Sequence, residues 1–497
     1  MKIHAPLFPI AVCLMTGIAL CDWLNNWSMG LIPLTLIAVA TLAVKRYPRI
    51  QTIGIGCSVV LIGMIIGRRQ QQQLAIEWPT ESREWQAVVI SEPKVKEKVI
   101  VFDALSITGK HKWRCSILRD KESEQIQLGN GIVIYSQIKK IHEWQKGHFN
   151  YRRYLHCHGY TGEVFVRSHE WQSKSLSLKN LSKTQRIRLK FLRWRHQLLE
   201  HFQQWNIDHK ASGVIAAMTL GEKNSISPTI KDTYSKVGAA HILALSGLHL
   251  MIIYSIISML VGWWHRWRTA TQVITVLSIW GFALLTGLST SVTRSACMIS
   301  IYALLSLGYR ERMSVNTLAF TAIIMLIITP NAMYDMGFQL SFLAVLGIVL
   351  YHPLINGIIP PHIQQSHRWL CIIWGTTTVS IAAQIGTAPL IVYYFGRFCT
   401  WFLLSNYIVI PMATIILYLA LFCIVFCWWP WAINYATSAL SFIATTMNLL
   451  LAGISKLPLC SIEGIHISTL QLFLLYIIIG SAYIALSIRY SKVLRNG

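Results

Sequence analysis

Long apolar runs separated by short polar loops fill most of this chain, and one central stretch breaks the rhythm. Three such runs open it, near 7–24, 28–44 and 50–67, each close to the length that crosses a bilayer. The first lacks a small-residue cleavage pattern and another run follows at once, so it reads as a retained span. From Trp78 to about Gln172 the runs shorten to WQAVVI, VIVFDALSI, KWRCSIL, GIVIYSQI and TGEVFV, divided by TGK, LRDKESEQ and LGNG. That alternation predicts five or so strands in a small antiparallel barrel or sandwich, with an OB-type barrel as a candidate. Residues 183–205 predict a basic amphipathic helix rich in Trp and Phe, whose default place is the membrane surface. ASGVIAAMTL, 211–220, is too short to span and reads as re-entrant or interfacial. Nine more spans are expected near 241–263, 270–287, 294–309, 314–329, 336–352, 371–395, 400–426, 431–454 and 467–487. The pattern therefore predicts a polytopic α-helical membrane protein of about 12 spans with an inserted small OB-like β-barrel. Its parts are membrane helices in 1–68, the soluble domain in 75–175, amphipathic and re-entrant helices in 183–222, and a transmembrane domain in 237–490.

Composition agrees and adds an orientation. The 497 residues are 54% hydrophobic and only 13% charged, with a net charge of +24. Residues 68–210 hold 26 Lys and Arg against 14 Asp and Glu, so this stretch carries half of the excess. A positive balance suits anionic partners, either nucleic acid or lipid headgroups, although Lys and Arg beside spans also serve orientation. WWHRWR, YRER, the loop with His367 and Arg368, and the tail RYSKVLRN all fall on one side, which counting basic loops makes cytoplasmic. Both termini then lie inside and the insert outside. Nine of the eleven cysteines sit in apolar segments; Cys115 and Cys157 are in the insert, where an oxidising compartment would allow them to pair.

Chemistry is constrained by what the apolar segments contain. VGAAHILALSGLHL, 237–250, carries His241, Ser246, Gly247 and His249 at the head of a span. Ser246 and His249 are three apart and share a helix face, whereas His241 need not. Further on come Arg294 in GLSTSVTRSACM, Asp335, Gln339 and Ser341 in DMGFQLSF, Gln384 in AAQIGTAPL, and Asn406 in NYIVIP. A lone intramembrane charge costs roughly 3 kcal/mol or more unless paired or wet. Arg294 and Asp335 are natural candidates to compensate each other, and Pro389 and Pro411 would permit broken helices against a cavity. These residues line a polar route, or else merely glue helices together. Ser246, His249 and Asp335 could also be assembled on paper into a hydrolase triad. In the insert, Lys110, Lys112, Trp113 and Arg114 (KHKWR) and Tyr151, Arg152 and Arg153 (FNYRRYL) interleave charge with rings, as a single-strand nucleic-acid groove requires; an ordinary basic surface over core aromatics is the plainer alternative. No Walker-type loop, HEXXH or paired CXXC is present, and His156-Cys157-His158 offers too few ligands, so no metal or cofactor is expected.

These residues resemble the ComEC/Rec2 competence proteins, DNA-uptake channels of the bacterial inner membrane. The resemblance rests on LGE at 220–222, Gly238 with HILALSGLH at 241–249, SVTRSACM at 291–298, DMGFQLSF at 335–342, AQIGTAPL at 383–390, and Asn406 with Pro411. In the insert, FNYRRYLHCHGYTGEV is similar to the end of the family's OB-like extracytoplasmic domain. The resemblance implies a non-enzymatic inner-membrane channel that passes single-stranded DNA into the cytoplasm. It implies that His241, Ser246, His249, Arg294, Asp335, Gln339 and Gln384 line or brace the pore, with no catalytic role. Expected partners are single-stranded DNA, membrane lipid, an external DNA receptor, a cytoplasmic motor or single-strand-binding protein, and a second copy of the chain. Longer members continue into a β-lactamase-like domain with an HXHXDH motif; this chain contains none, so a separate nuclease is expected. A permease for another anionic substrate, or a membrane hydrolase using Ser246 and His249, are the alternatives.

Overall fold

The computed structural model describes residues 5–23, 35, 47–108, 111–176, 178–205, 207–262, 268–307 and 314–496. Most of the expected span at 28–44, the YRER loop and Lys110 lie outside these residues. The chain divides into two compact units, one formed by 4–193 with 319–336 and the other by 1–3, 194–318 and 337–497.

In the first unit the helices Leu7–Trp23 and Pro48–Leu74 pack backbone against backbone. A side chain at Gly17 would stand 2.1 Å from the Val60 carbonyl oxygen, and one at Gly63 would stand 2.5 Å from that of Leu14. Small residues allow this approach where apolar lipid gives helices no hydrophobic reason to associate. The insert follows as β1 (Arg83–Val89), β2 (Lys94–Val95), β3 (Val99–Ser106), β4 (Lys112–Leu118), β5 (Gly131–Ser136), the hairpin β6–β7 (Gln145–Lys146, Phe149–Asn150), β8 (Tyr160–Val166) and β9 (Trp171–Ser173). The main sheet runs β8-β4-β3-β1-β5-β9, with β2 on β3.

Two expectations are corrected here. The ladder is not closed into a barrel; between β5 and β8 there is an isolated bridge, Lys139 to Glu163, and a Ser136 hydroxyl donating to the Phe165 carbonyl at 3.0 Å. Nor is the sheet wholly antiparallel, because β8 lies parallel to β4. The helix Tyr151–Cys157 intervenes before β8, and a crossover of this kind is what parallel neighbours require. Alternation along β4 points Trp113, Cys115 and Ile117 into a core with Ile100, Phe102, Ile132, Ile134 and Val164.

The second unit is helical. The helix His209–Leu220 starts at Asp208, whose carboxylate accepts from the Lys210 and Ala211 N–H groups, and stops at Gly221 with φ +74°. Nine of its twelve residues are buried, packed with Val409, Ala413, Ile416, Leu440, Ala444 and Met447, so it is a core element rather than one lying at an interface. The helices Gly247–Gly262, Arg268–Leu285, Thr290–Leu307, Met336–Asn356, Arg368–Phe395, Phe402–Val425, Pro430–Ser455 and Thr469–Asn496 follow. Val315–Ile328 straddles the division between the units. Pro353, Pro389 and Pro411 sit inside continuous helices, so the breaks that Pro389 and Pro411 would permit do not occur. Among the described residues, six helices are long and apolar enough to cross a membrane by length and composition, and shorter apolar helices accompany them.

The amphipathic helix Lys183–Gln204 packs against both sheet and helices along part of its length. In the first unit its Leu189 packs with Val88, Leu105 and Leu181; in the second its Leu199 and Phe202 join the helical core. Ile187 and Trp194 of the same helix stay exposed, so protein covers only part of its apolar surface.

Candidate functional site

Several polar side chains of the helical unit are held as neutral pairs. Gly238, with φ +77°, turns the chain into the short helix Ala240–Leu243. Exposed His241 donates from Nδ1 to the Gly238 carbonyl at 3.0 Å. Ser246 directly precedes the helix Gly247–Gly262, and its N–H donates to His249 Nδ1 at 3.3 Å. That bond makes Nδ1 the acceptor and leaves the ring proton on Nε2. The Ser246 hydroxyl lies 2.9 Å from the same nitrogen and donates to it. A serine before a helix whose backbone N–H is accepted by a side chain three residues on is one half of the cap usually built with Glu or Gln, here with imidazole, while the Ser246 hydroxyl turns to the same ring. His249 is 0% exposed, and its Nε2 has no hydrogen-bond partner among the described residues. A hydrolase triad needs a carboxylate on that nitrogen, so this geometry is a helix cap and not a triad.

Gly247 brings this helix close to its neighbour: a side chain there would meet the Ser295 hydroxyl at 3.1 Å. Arg294, next in sequence, is 1% exposed, with its guanidinium carbon 6.0 Å from the Phe338 ring centre. Gln339 accepts from the Tyr394 hydroxyl at 2.9 Å, and the Asn406 amide donates to the Ser380 hydroxyl at 3.2 Å. Ser341 and Gln384 are half-buried on Met336–Asn356 and Arg368–Phe395. Gln339, Leu343 and Gly347 fall on one face of the first of these helices at steps of four, and Ala382, Gly386, Leu390 and Tyr394 do so on the second. A side chain at Gly347 would stand 2.4 Å from the Ala382 carbonyl oxygen, and one at Gly386 would stand 2.2 Å from that of Leu343. The Gln339–Tyr394 bond therefore clips together two helices whose backbones touch further along.

Three charged or polar contacts here were not foreseen from the sequence. Glu222 of the LGE segment is buried; it takes Arg195 at 3.0 Å on one oxygen and the Asn224 N–H at 2.6 Å on the other. Tyr234 donates to Asn448 at 2.7 Å. Arg397 reaches Ser235 at 3.0 Å and both Asp232 and Glu463 at 3.6 Å. Side-chain partners 27 to 214 positions apart leave no local signal.

In the first unit, the candidate nucleic-acid residues of the insert are mostly engaged within the fold. Trp113 is 1% exposed, so the base-stacking role expected of it is corrected: alternation along β4 sends it into the core. The outer face of the same strand carries a row of charge. Arg114 stands opposite Asp103 on β3 and Glu163 on β8. Its guanidinium donates to the Tyr151 hydroxyl at 3.1 Å, which donates to Glu163 at 3.0 Å. The Lys112 ammonium sits 3.8 Å above the Tyr160 ring, and Tyr160 donates to Asp103 at 2.6 Å. Burial pushes Lys112 down to about 8, only partly offset by Asp103. Burial, and then the Asp103 charge, raises the Tyr160 phenol. Arg152 pairs with Glu143.

Asn150 caps the helix Tyr151–Cys157 by accepting the Arg153 N–H at 2.8 Å. That helix docks on the turn Pro330–Tyr334: Arg153 lies 4.5 Å from the Tyr334 ring centre, and the Cys157 thiol donates to the Asn331 carbonyl at 3.0 Å. Asp335, 6% exposed, follows directly; after burial itself, its charge is the largest influence raising the Tyr154 phenol. Cys115 and Cys157 are both free, one in the sheet core and one on this turn, so the disulfide expected between them is not formed. Among the described residues no three His, Cys, Asp or Glu side chains gather as a metal site would need.

A helical membrane protein with several spans and an inserted sheet domain is thus defined. Residues 218–489 match the family model described as Competence protein, and the chain belongs to that family. It is 25% identical over 312 residues to ComE operon protein 3 of Bacillus subtilis (strain 168), covering 61% of this chain and 37% of that protein. It is 26% identical over 276 residues to an uncharacterized protein of Aquifex aeolicus (strain VF5), covering 54% and 58%. With the uncharacterized protein YcaI of Escherichia coli (strain K12) it shares 24% over 233 residues, covering 45% and 30%. The chain thus spans less than two thirds of the length of these curated relatives. No solved structure matches.

Proposed function

We propose that this protein takes up DNA during competence, passing a single strand through the bacterial inner membrane. The observation that carries the reading is the match of 218–489 to the competence family, which takes in His241, Ser246, His249, Arg294, Asp335, Gln339, Gln384 and Asn406. Hydrogen-bonding groups inside apolar helices cost free energy unless satisfied, and a wet route gives them a use beyond glue. In this reading about 12 spans place both termini in the cytoplasm and the insert outside. The insert is OB-like, a reading supported by its connectivity: β1, β3 and β4 form a meander, β8 returns parallel to β4, and β5 lies beside β1. The chain works without catalysis, beside an external DNA receptor, a cytoplasmic motor or single-strand-binding protein, and a separate nuclease, in lipid and with further copies of itself. A deletion strain given labelled DNA is the test. Loss of cytoplasmic label, restored by the wild-type chain, is expected; undiminished uptake refutes the reading.

A further inference from the structure

Two cysteines outside the polar route come together where two distant loops meet. The strand Arg397–Cys399 pairs antiparallel with Ser461–Glu463, and Cys399 stands directly opposite Ser461. Cys460 precedes that partner and continues the pairing, since its carbonyl accepts the Thr400 N–H at 3.2 Å. The two Cα atoms are therefore diagonal neighbours across a strand pair, roughly 6 Å apart. Such a separation lies within the range a disulfide bridges. Strict alternation would send the two side chains to opposite faces, but the register ends at Cys399 and Ser461, and the single Thr400–Cys460 bond beyond it does not impose alternation. Both sulfurs are found over one turn. Cys460 Sγ lies 3.7 Å from the Lys236 carbonyl oxygen, and Cys399 Sγ would be 3.2 Å from a side chain at Gly238. Both thiols are buried and free.

We propose that Cys399 and Cys460 are a reversible disulfide pair that staples the loop after Arg368–Phe395 to the loop after Pro430–Ser455, over the turn Lys236–Gly238. That turn leads into His241 and the Ser246–His249 cap, so the staple would stiffen the entry to the polar route. The pair's place in an oxidising compartment rests on the topology proposed above, in which these loops face outward; the bond-forming capacity does not. The chemistry is thiol–disulfide exchange. One thiol loses its proton and attacks a disulfide reagent, releasing one reagent thiol. The second then attacks the mixed disulfide, releasing the other, so two cysteines are oxidised and one reagent disulfide is reduced. Burial raises both thiols, Cys399 to about 11, which keeps the thiolate fraction small and makes a disulfide oxidant or oxidase necessary.

The test uses the full-length chain in isolated membranes, treated with 4,4′-dithiodipyridine, blocked with N-ethylmaleimide, digested and analysed without reduction. The expected result is a peptide pair joined through Cys399 and Cys460, lost on reduction, with exposed Cys371 and Cys427 outside that pair. Recovery of Cys399 and Cys460 each blocked singly, or joined to other cysteines, overturns the proposal. The wild-type measurement depends on no variant; C399S and C460S, made separately, should each remove the linked peptide. Uptake by the deletion strain is scored independently, so failure of the staple and failure of the DNA reading are distinguishable.

Discussion

The sheet domain and the helical bundle handle polar side chains in opposite ways. On the outer face of β4, charge answers charge along a row: Asp103, Arg114 and Glu163 stand side by side, with Tyr151 and Tyr160 tied in. Within the bundle, Ser246 with His249, Gln339 with Tyr394 and Asn406 with Ser380 are neutral couples. Near water an ion pair costs little to assemble, whereas in a low-dielectric interior the desolvation of two charges rivals their attraction. Neutral partners are the cheaper way to keep hydrogen-bonding capacity inside an apolar bundle. Arg397 with Asp232 and Glu463 is a half-exposed ion cluster of the helical unit, and Arg195 with Glu222 is the exception within its interior, a buried ion pair.

The comparison breaks most easily at that exception. Glu222→Gln leaves the Arg195 guanidinium buried beside a neutral amide, and a loss of about 3–5 kcal/mol is expected in denaturant unfolding of the detergent-solubilised chain. A change under about 1 kcal/mol would mean that the pair is solvated. Gly386→Ala comes next. Its methyl would meet the Leu343 carbonyl at 2.2 Å, so the helices must part, at about 1–3 kcal/mol in the same assay.

The sheet domain offers a test by pH. Lys112 holds its proton less well folded, at about 8, than at its ordinary 10.5, so between these values the unfolded chain binds more protons. Stability of the sheet should therefore rise as pH climbs from about 8 and be lowest below that. The raised Tyr160 phenol opposes the rise from about pH 10, where unfolded tyrosine ionises. Lys112→Met should flatten the rise and stabilise the domain below pH 8, on the order of 1–3 kcal/mol, read by hydrogen-exchange protection of β4. A variant that keeps the wild-type slope would show that Lys112 is not its source. Tyr394→Phe, which removes one neutral bond to Gln339, is the smallest effect, about 1 kcal/mol. A loss as large as that of Glu222→Gln would erase the distinction between the two regions.

Much of the architecture could be read from residues alone because hydropathy and alternation are local. The span expected at 371–395 is the helix Arg368–Phe395, and KWRCSIL is the strand β4. Polar positions were legible in the same way, since a Gln or His among apolar neighbours stands out. What they touch was not. Trp113 looked like a base platform because interleaved charge and rings resemble a groove, yet alternation turns that ring inward. Glycine seams such as Gly347 with Gly386, and the docking of Tyr151–Cys157 on Pro330–Tyr334, depend on which helices become neighbours. Proline signalled breaks that the bundle absorbs, because neighbouring helices can satisfy the freed backbone groups.

The central claim, that the neutral couples border a route DNA can enter, is tested most directly by water-borne thiol reagents. Cysteine would replace Ser246, Gln339 or Asn406 in turn, in a chain whose exposed Cys371 and Cys427 are serine. Modification by a hydrophilic methanethiosulfonate, slowed by added single-stranded DNA, is the predicted result. Positions that stay unmodified, or that react at the same rate with and without DNA, would contradict it.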